Sequence, residues 1–371
     1  MIWFRNLTIR KKELITGFSI LIIVIGSFTS AEVILRVKQI SKFGTLSTVE
    51  KMDTFYIEPE TGLRIPKPNA TMGKIKFNSS GFRGPELAET KSKDTIRIAY
   101  LGSSITFDPF ISDDNKTWAG ATTEKLSLLY PQCKFEYLNA GIPGLGTVRL
   151  QDHYEKIVSK MKPDLVFIMT DDRNSRLDEI AINKRIHDGV HYSPSWLAQN
   201  SLFWGKLEKN AVIQKRIRSL TLGSDMAFSA DELLKKYRPK IRSLIKAINN
   251  DNAIPILLSF GQKIRKNQSK AEQVSAISSS LFYMPYMTVA DFLRTAEMYN
   301  NENIRASQQT DTIYISWHEN VLGADQNFID SRHFTVIGSE HVAKSIAEQT
   351  VSSKIFNQTL KEKGFTCIEG L

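Results

Sequence analysis

Arg97–Thr106 reads RIAYLGSSIT. With Ile96 it forms a short apolar run that stops at a Gly-Ser-Ser turn and continues into residues a helix accepts. A run of this length, bounded by a turn, is the pattern of a buried strand. Further runs of the same kind follow at FEYLNAG (135–141), DLVFIM (164–169), IPILLSF (254–260) and TIYIS (312–316). Helical patterns lie between them. Ser229 with Glu232 three residues later makes a capping box, and the apolar face after it runs from Leu233 to Ile248 at helical spacing. Pro239 either kinks that helix or marks a joint in it. A last striped helix is expected at about Ile337–Val351. Strands alternating with helices predict an α/β fold, a parallel sheet covered by helices on both faces. Functional loops then gather at the carboxyl ends of the strands.

The amino terminus has a different character. Arg5, Arg10, Lys11 and Lys12 precede LITGFSILIIVIGSFTSAEV, Leu14–Val33, about the 20 residues a helix needs to cross a bilayer. The basic flank predicts a cytoplasmic amino end and an extracytoplasmic remainder, periplasmic or extracellular. Thr29-Ser30-Ala31 offers a small-residue cleavage site, so a removable signal peptide competes with an uncleaved single-pass anchor. The anchor is preferred because Val33, Ile34, Leu35 and Val37 carry the apolar pattern past that site.

The 371 residues are 42% hydrophobic and 24% charged, enough to bury a sizeable core. A formal net charge of +10 favours anionic surroundings such as phospholipid or acidic glycan. No nucleic-acid-binding signature accompanies it, and none is assigned as partner. Two cysteines, Cys133 and Cys367, exclude a disulfide scaffold and a Cys-rich metal site. One bridge and two separate thiols both remain open. The other histidines, including His187 and His191, show no convincing ligand spacing, so no metal and no cofactor are assigned.

Four short segments carry candidate chemistry. Ser104, in the Gly102–Thr106 turn after the first strand, can present its hydroxyl at the sheet edge beside backbone N–H groups. Asp330-Ser331-Arg332-His333, near the start of the last helix, can supply a base and the carboxylate that orients it. Asn139–Gly144 follows the second strand, where glycine lets a backbone N–H approach a ligand. Asp171-Asp172-Arg173-Asn174 follows the third, where Asn174 can donate a side-chain N–H. Each alone reads as ordinary turn or cap chemistry; their shared placement singles them out.

In this order the segments resemble the four blocks of the SGNH (GDSL-like) hydrolase family. RIAYLGSSIT is similar to block one, LNAGIPG to block two, PDLVFIMTDDRN to block three and DSRHFTVIGSEHVA to the last. The similarity runs from about Asp94 to Glu348, and NSSGFRGPE (78–86) looks like the lead-in of membrane-anchored members. The resemblance implies a three-layer α/β/α, flavodoxin-like fold behind a single transmembrane helix. It also implies Ser104 as nucleophile, His333 as general base and Asp330 as its orienting carboxylate. The oxyanion hole would be formed by Ser104, Gly141 and Asn174. The chain departs at Ser103, where the family has Asp, and at block three, where Arg173 occupies the expected place and Asn174 follows one residue later.

The expected division is a basic cytoplasmic segment (1–13), a transmembrane signal anchor (14–36), a juxtamembrane stalk and lead-in (37–93), the hydrolase-like domain (94–352) and a tail (353–371). Residues 175–228 would form a cap insertion. Its Trp196, Phe203 and Trp204 suit local core or a sugar platform, and Lys215, Arg216 and Arg218 a solvated face or a contact with anionic lipid or glycan. The implied activity is hydrolysis of O-acyl groups on a surface polysaccharide or lipid. An O-acyltransferase using the same triad, and a degenerate glycan-binding module, are the alternatives. Oligomeric state is not written in the sequence.

Overall fold

The computed structural model describes residues 8–46, 53–170, 179–180, 192–220, 226–321, 324–365 and 367. Five parallel strands form the central sheet: β5 (Thr95–Gly102), β6 (Lys134–Gly141), β7 (Leu165–Met169), β8 (Ile254–Leu258) and β9 (Ile313–Ile315). Two small antiparallel hairpins precede them, β1 (Phe55–Ile57) with β2 (Arg64–Pro66) and β3 (Thr71–Met72) with β4 (Ile75–Lys76). The sheet order is β6-β5-β7-β8-β9. Counted within the sheet this is 2-1-3-4-5, the flavodoxin-like order, whose switch point lies beside the first strand. The carboxyl end of β5 therefore faces the crevice where such sheets place their sites.

Strand alternation decides which side chains serve which layer. On one face Ile96, Ile98, Tyr100 and Phe167 pack with Trp118 and Leu126 of helix α3 (Trp118–Leu129) and with Val342 and Ile346 of α11 (Val336–Ser352). On the other, Ala99, Leu101, Val166 and Ile168 meet Leu150 of α4 (Thr147–His153), Leu244 and Ile248 of α8 (Tyr237–Asn250) and Tyr299 of α10 (Val289–Thr310). The fold is thus the expected three-layer α/β/α sandwich. The Ser229 capping box is present at the start of α7 (Ala230–Leu234). Pro239 marks a joint: α7 ends before it, and it sits in the first turn of α8, where its missing N–H costs no helical hydrogen bond.

Helix α1, Ile9–Phe43, is continuous and by length and composition able to cross a membrane. Two expectations about the flanks are corrected. The stalk and lead-in are not separate from the domain: Leu63, Ile65 and Phe82 join the core beside β6, and Met72, Ile75 and Phe77 pack on Phe107. The tail beyond residue 352 is also part of the domain. Helix α12 (Lys354–Glu362) buries Phe356 and Leu360 in the core, and Cys367 is bonded to Cys133. That settles the cysteine pairing in favour of one bridge.

Within 175–228, the described residues form α5 (Trp196–Asn200) and α6 (Leu202–Arg218). His187 and His191 lie outside the described residues. Ile217 and Leu220 pack against a third apolar cluster under α9 (Lys270–Leu281) and α10.

One core residue gives the fold a pH signature. His153 is buried, with Nε2 3.0 Å from the Ala140 carbonyl, and its Nδ1 has no partner among the described residues. Burial pushes its pKa down to about 4, against a weaker upward pull from the Ala140 bond. As pH falls from the ordinary value of 6.5 towards 4, the unfolded chain takes up a proton the folded chain refuses. Stability should then fall by up to about 1.4 kcal/mol per pH unit. Thermal melts of His153→Phe and the wild type should converge between pH 7 and 5; parallel curves would remove this account.

Candidate active site

Ser104 is the first residue of helix α2 (Ser104–Phe107), which starts directly after β5. The first N–H groups of a helix have no intrahelical acceptor, so its own amide lies beside its hydroxyl. The position of this short helix is set from two sides. Asn139, buried at the end of β6, donates from Nδ2 to the Thr106 carbonyl at 2.6 Å. From the lead-in, Arg83 is 1% exposed. It donates to the Phe107 and Asp108 carbonyls at 2.8 Å each, to the Ile111 carbonyl, and from Nε to Asp114 at 2.6 Å. The planar fork of arginine suits four such acceptors.

The Asp330–His333 segment is a tight turn whose geometry is local. Asp330 Oδ1 accepts the backbone N–H of Arg332 at 2.9 Å and of His333 at 2.8 Å. Its Oδ2 lies 2.8 Å from His333 Nδ1, and His333 Nε2 lies 2.9 Å from Ser104 Oγ. With Asp330 ionised, Nδ1 carries the proton and Nε2 offers its lone pair to the serine. Burial works to raise the Asp330 carboxyl, yet the bond to His333 and the two backbone donors hold it at about 2. Ser331 fastens the turn to α9, receiving the Ser280 N–H at 3.2 Å and giving its own N–H to Ser279 Oγ at 3.0 Å. Phe110 meets the His333 ring edge-on, centroids 5.3 Å apart.

Ser104, Asp330 and His333 open on a cleft of about 750 Å³, rimmed by Arg64, Phe110, Lys209, Tyr283, Ile329 and Arg332. Gly141 is not presented to this cleft. Its N–H donates to Asn139 Oδ1 at 3.0 Å, and a Cβ there would stand 2.3 Å from the Phe107 nitrogen. It is glycine so that α2 can lie against the sheet. The part of this loop that lines the cleft is Pro143–Gly146, with Gly144 in it. Gly144 occupies the third position of an Ile142–Leu145 turn closed by Leu145 N–H to the Ile142 carbonyl at 3.1 Å, with φ 82°. Proline second and glycine third is the type II turn signal, so the sequence held the clue to Gly144. Arg173 and Asn174 lie outside the described residues.

No protein-family model matches the chain, and no curated protein matches it in sequence. Solved structures do resemble it. An acetylxylan esterase from Geobacillus stearothermophilus is 15% identical at a TM-score of 0.42, over 76% of this chain and 100% of that one. TesA is 13% identical at 0.40, over 72% and 98%. A GDSL-like lipase from Bacteroides thetaiotaomicron is 12% identical at 0.40, over 71% and 91%.

Two substitutions test the geometry. Asp330→Asn should leave the fold intact by circular dichroism while lowering turnover of p-nitrophenyl acetate by about 10⁴-fold, because it upsets the His333 tautomer. Arg83→Met takes the cation from the half-buried Asp114 and the donor from the Phe107 and Ile111 carbonyls, while the Asp108 carbonyl keeps only the Ile111 N–H at 3.3 Å. It should cost about 3–5 kcal/mol in denaturant unfolding, and a loss below 1 kcal/mol would show that the buried guanidinium is dispensable.

Proposed function

We propose that this chain is a membrane-anchored, extracytoplasmic SGNH-type serine esterase that removes O-acyl groups from a cell-surface glycan or lipid. The observation that carries the reading is the unbroken chain from Asp330 Oδ2 through His333 to Ser104 Oγ, with steps of 2.8 and 2.9 Å. Ser104 Oγ attacks the acyl carbonyl carbon while His333 Nε2 takes its proton. The carbonyl oxygen becomes an oxyanion, received by the backbone N–H groups of Ser104 and Gly144. Asp330, held ionised, stabilises the imidazolium and keeps the ring oriented. Collapse breaks the ester C–O bond, and the alcohol leaves with the proton from His333. Water, deprotonated by the same nitrogen, then hydrolyses the acyl-enzyme and regenerates the serine.

The placement outside the cytoplasm is supported by two features. Arg10, Lys11 and Lys12 flank the amino side of the apolar run in α1, as the positive-inside rule requires. The Cys133–Cys367 bridge belongs to an oxidising compartment.

The deciding experiment treats the full chain, in detergent micelles, with a fluorophosphonate probe. The wild type should label and Ser104→Ala should not. A folded wild type that stays unlabelled would overturn the reading. On labelled-competent protein, recovery of the acyl group as free acid, rather than on an added sugar acceptor, is the expected fate.

A further inference from the structure

The amino-terminal half of the α5–α6 hairpin is bound to α1 within the apolar run itself. Phe28 meets the Phe203 ring edge-on at 4.9 Å and lies 6.0 Å from the Trp204 ring. One turn on, Glu32 accepts the Leu202 and Phe203 N–H groups at 3.1 and 2.8 Å and the Ser201 hydroxyl at 2.9 Å. Arg36 pairs with Glu32 at 2.6 Å and donates to the Asn200 carbonyl at 3.1 Å.

This joint solves two problems that arise only in an apolar medium. A carboxylate near the end of a membrane span is costly unless paired; here Arg36 and three donors meet it. The first N–H groups of a helix are costly to remove from water; here Glu32 accepts those of α6. The joint also fixes a level. Phe28 lies five residues inside the end of the Leu14–Val33 run, about 7 Å at 1.5 Å per residue. A hairpin held against Phe28 and Glu32 therefore sits at the boundary of the hydrocarbon. Its outward side chains suit that level: Trp196 is 73% exposed, Leu197 45% and Leu207 42%. Indole rings favour the membrane–water boundary.

We infer that the α5–α6 hairpin is a second membrane contact, seated in the bilayer interface beside α1, which holds the Ser104 cleft over the membrane surface. The inference rests on reading Leu14–Val33 as a bilayer span. The cleft is coupled to both membrane elements. Lys209 of α6 lines its rim. At the far end of α1, Lys42 Nζ lies 5.6 Å from the centre of the Phe110 ring, which contacts His333. Lys42 follows Val33 by nine residues, a rise of about 14 Å, whereas one headgroup layer is about 5–7 Å deep. The cleft thus stands just beyond the headgroups. That position fits an ester on the exposed part of a membrane-held molecule better than one between acyl chains.

The test uses the full chain in lipid nanodiscs. Since both native cysteines are bridged, single cysteines introduced as Trp196→Cys, Leu197→Cys, Ile22→Cys and Lys266→Cys each take one nitroxide label. Collision with oxygen reports lipid, and collision with a water-soluble nickel chelate reports solvent. Positions 196 and 197 should be oxygen-dominated like 22, with a collision ratio several-fold above that at 266. Nickel-dominated labels at both sites would overturn the inference, as would labels shielded from both agents, the mark of a covering protein surface or second copy. A solvent-like label at 22 would instead remove the span reading beneath it. Fluorophosphonate labelling of the same samples reads the esterase proposal separately.

Discussion

The arginine that closes on the Ser104 turn has almost no water around it. Burying an unpaired guanidinium costs several kcal/mol, and Arg83 tolerates its position because Asp114 supplies a carboxylate and Phe107, Asp108 and Ile111 supply carbonyls. The dependence is mutual. Those carbonyls belong to the end of α2 and the loop after it, where the helix offers them no donor. Remove the cation and the Phe107 and Ile111 carbonyls lose their donor; remove the loop and the cation is stranded. Ser104 is placed by that mutual need, with Asn139 gripping Thr106 from the sheet side.

The second half of the site arrives from the far end of the domain. Ser104 and His333 are 229 positions apart, and the sheet and α11 bring them together. The final positioning is nevertheless local. Asp330 shapes its own turn by accepting two backbone N–H groups with one oxygen, leaving the other for the imidazole. Ser331 ties that turn to α9. Asp330 and His333 are therefore held as one unit, and only the contact with Ser104 depends on tertiary fit.

Much of this was legible in the sequence because buried parallel strands advertise themselves as apolar runs with turn residues at their ends. The five strands and the last helix fall close to where the pattern puts them, and Ser104 and the Asp330–His333 turn emerge at the sheet's carboxyl edge. What failed to show was contact between distant segments. Gly141 and Gly144 differ in the sequence only by the proline before Gly144; that the Gly141 amide is taken up by the Asn139 side chain shows only in the fold. The stalk and lead-in, residues 37–93, read as extended and turn-rich, and nothing in their pattern shows that Leu63, Ile65 and Phe82 are buried by partners beyond Thr95. The tail, set apart at residue 353, likewise carries Phe356 and Leu360 into the core.

The bridge between Cys133 and Cys367 spans 234 positions and joins the entrance of β6 to a residue that follows every strand of the sheet. A chain made amino end first exposes Cys133 long before its partner exists. The sheet must assemble and α12 must dock, Tyr130 bonding to Asn357 beside Phe356, before the two sulfurs stand close. The covalent lock therefore ties the first half of the sheet to the very last packed helix, so that α12 cannot leave the core without straining a bond to the strand layer.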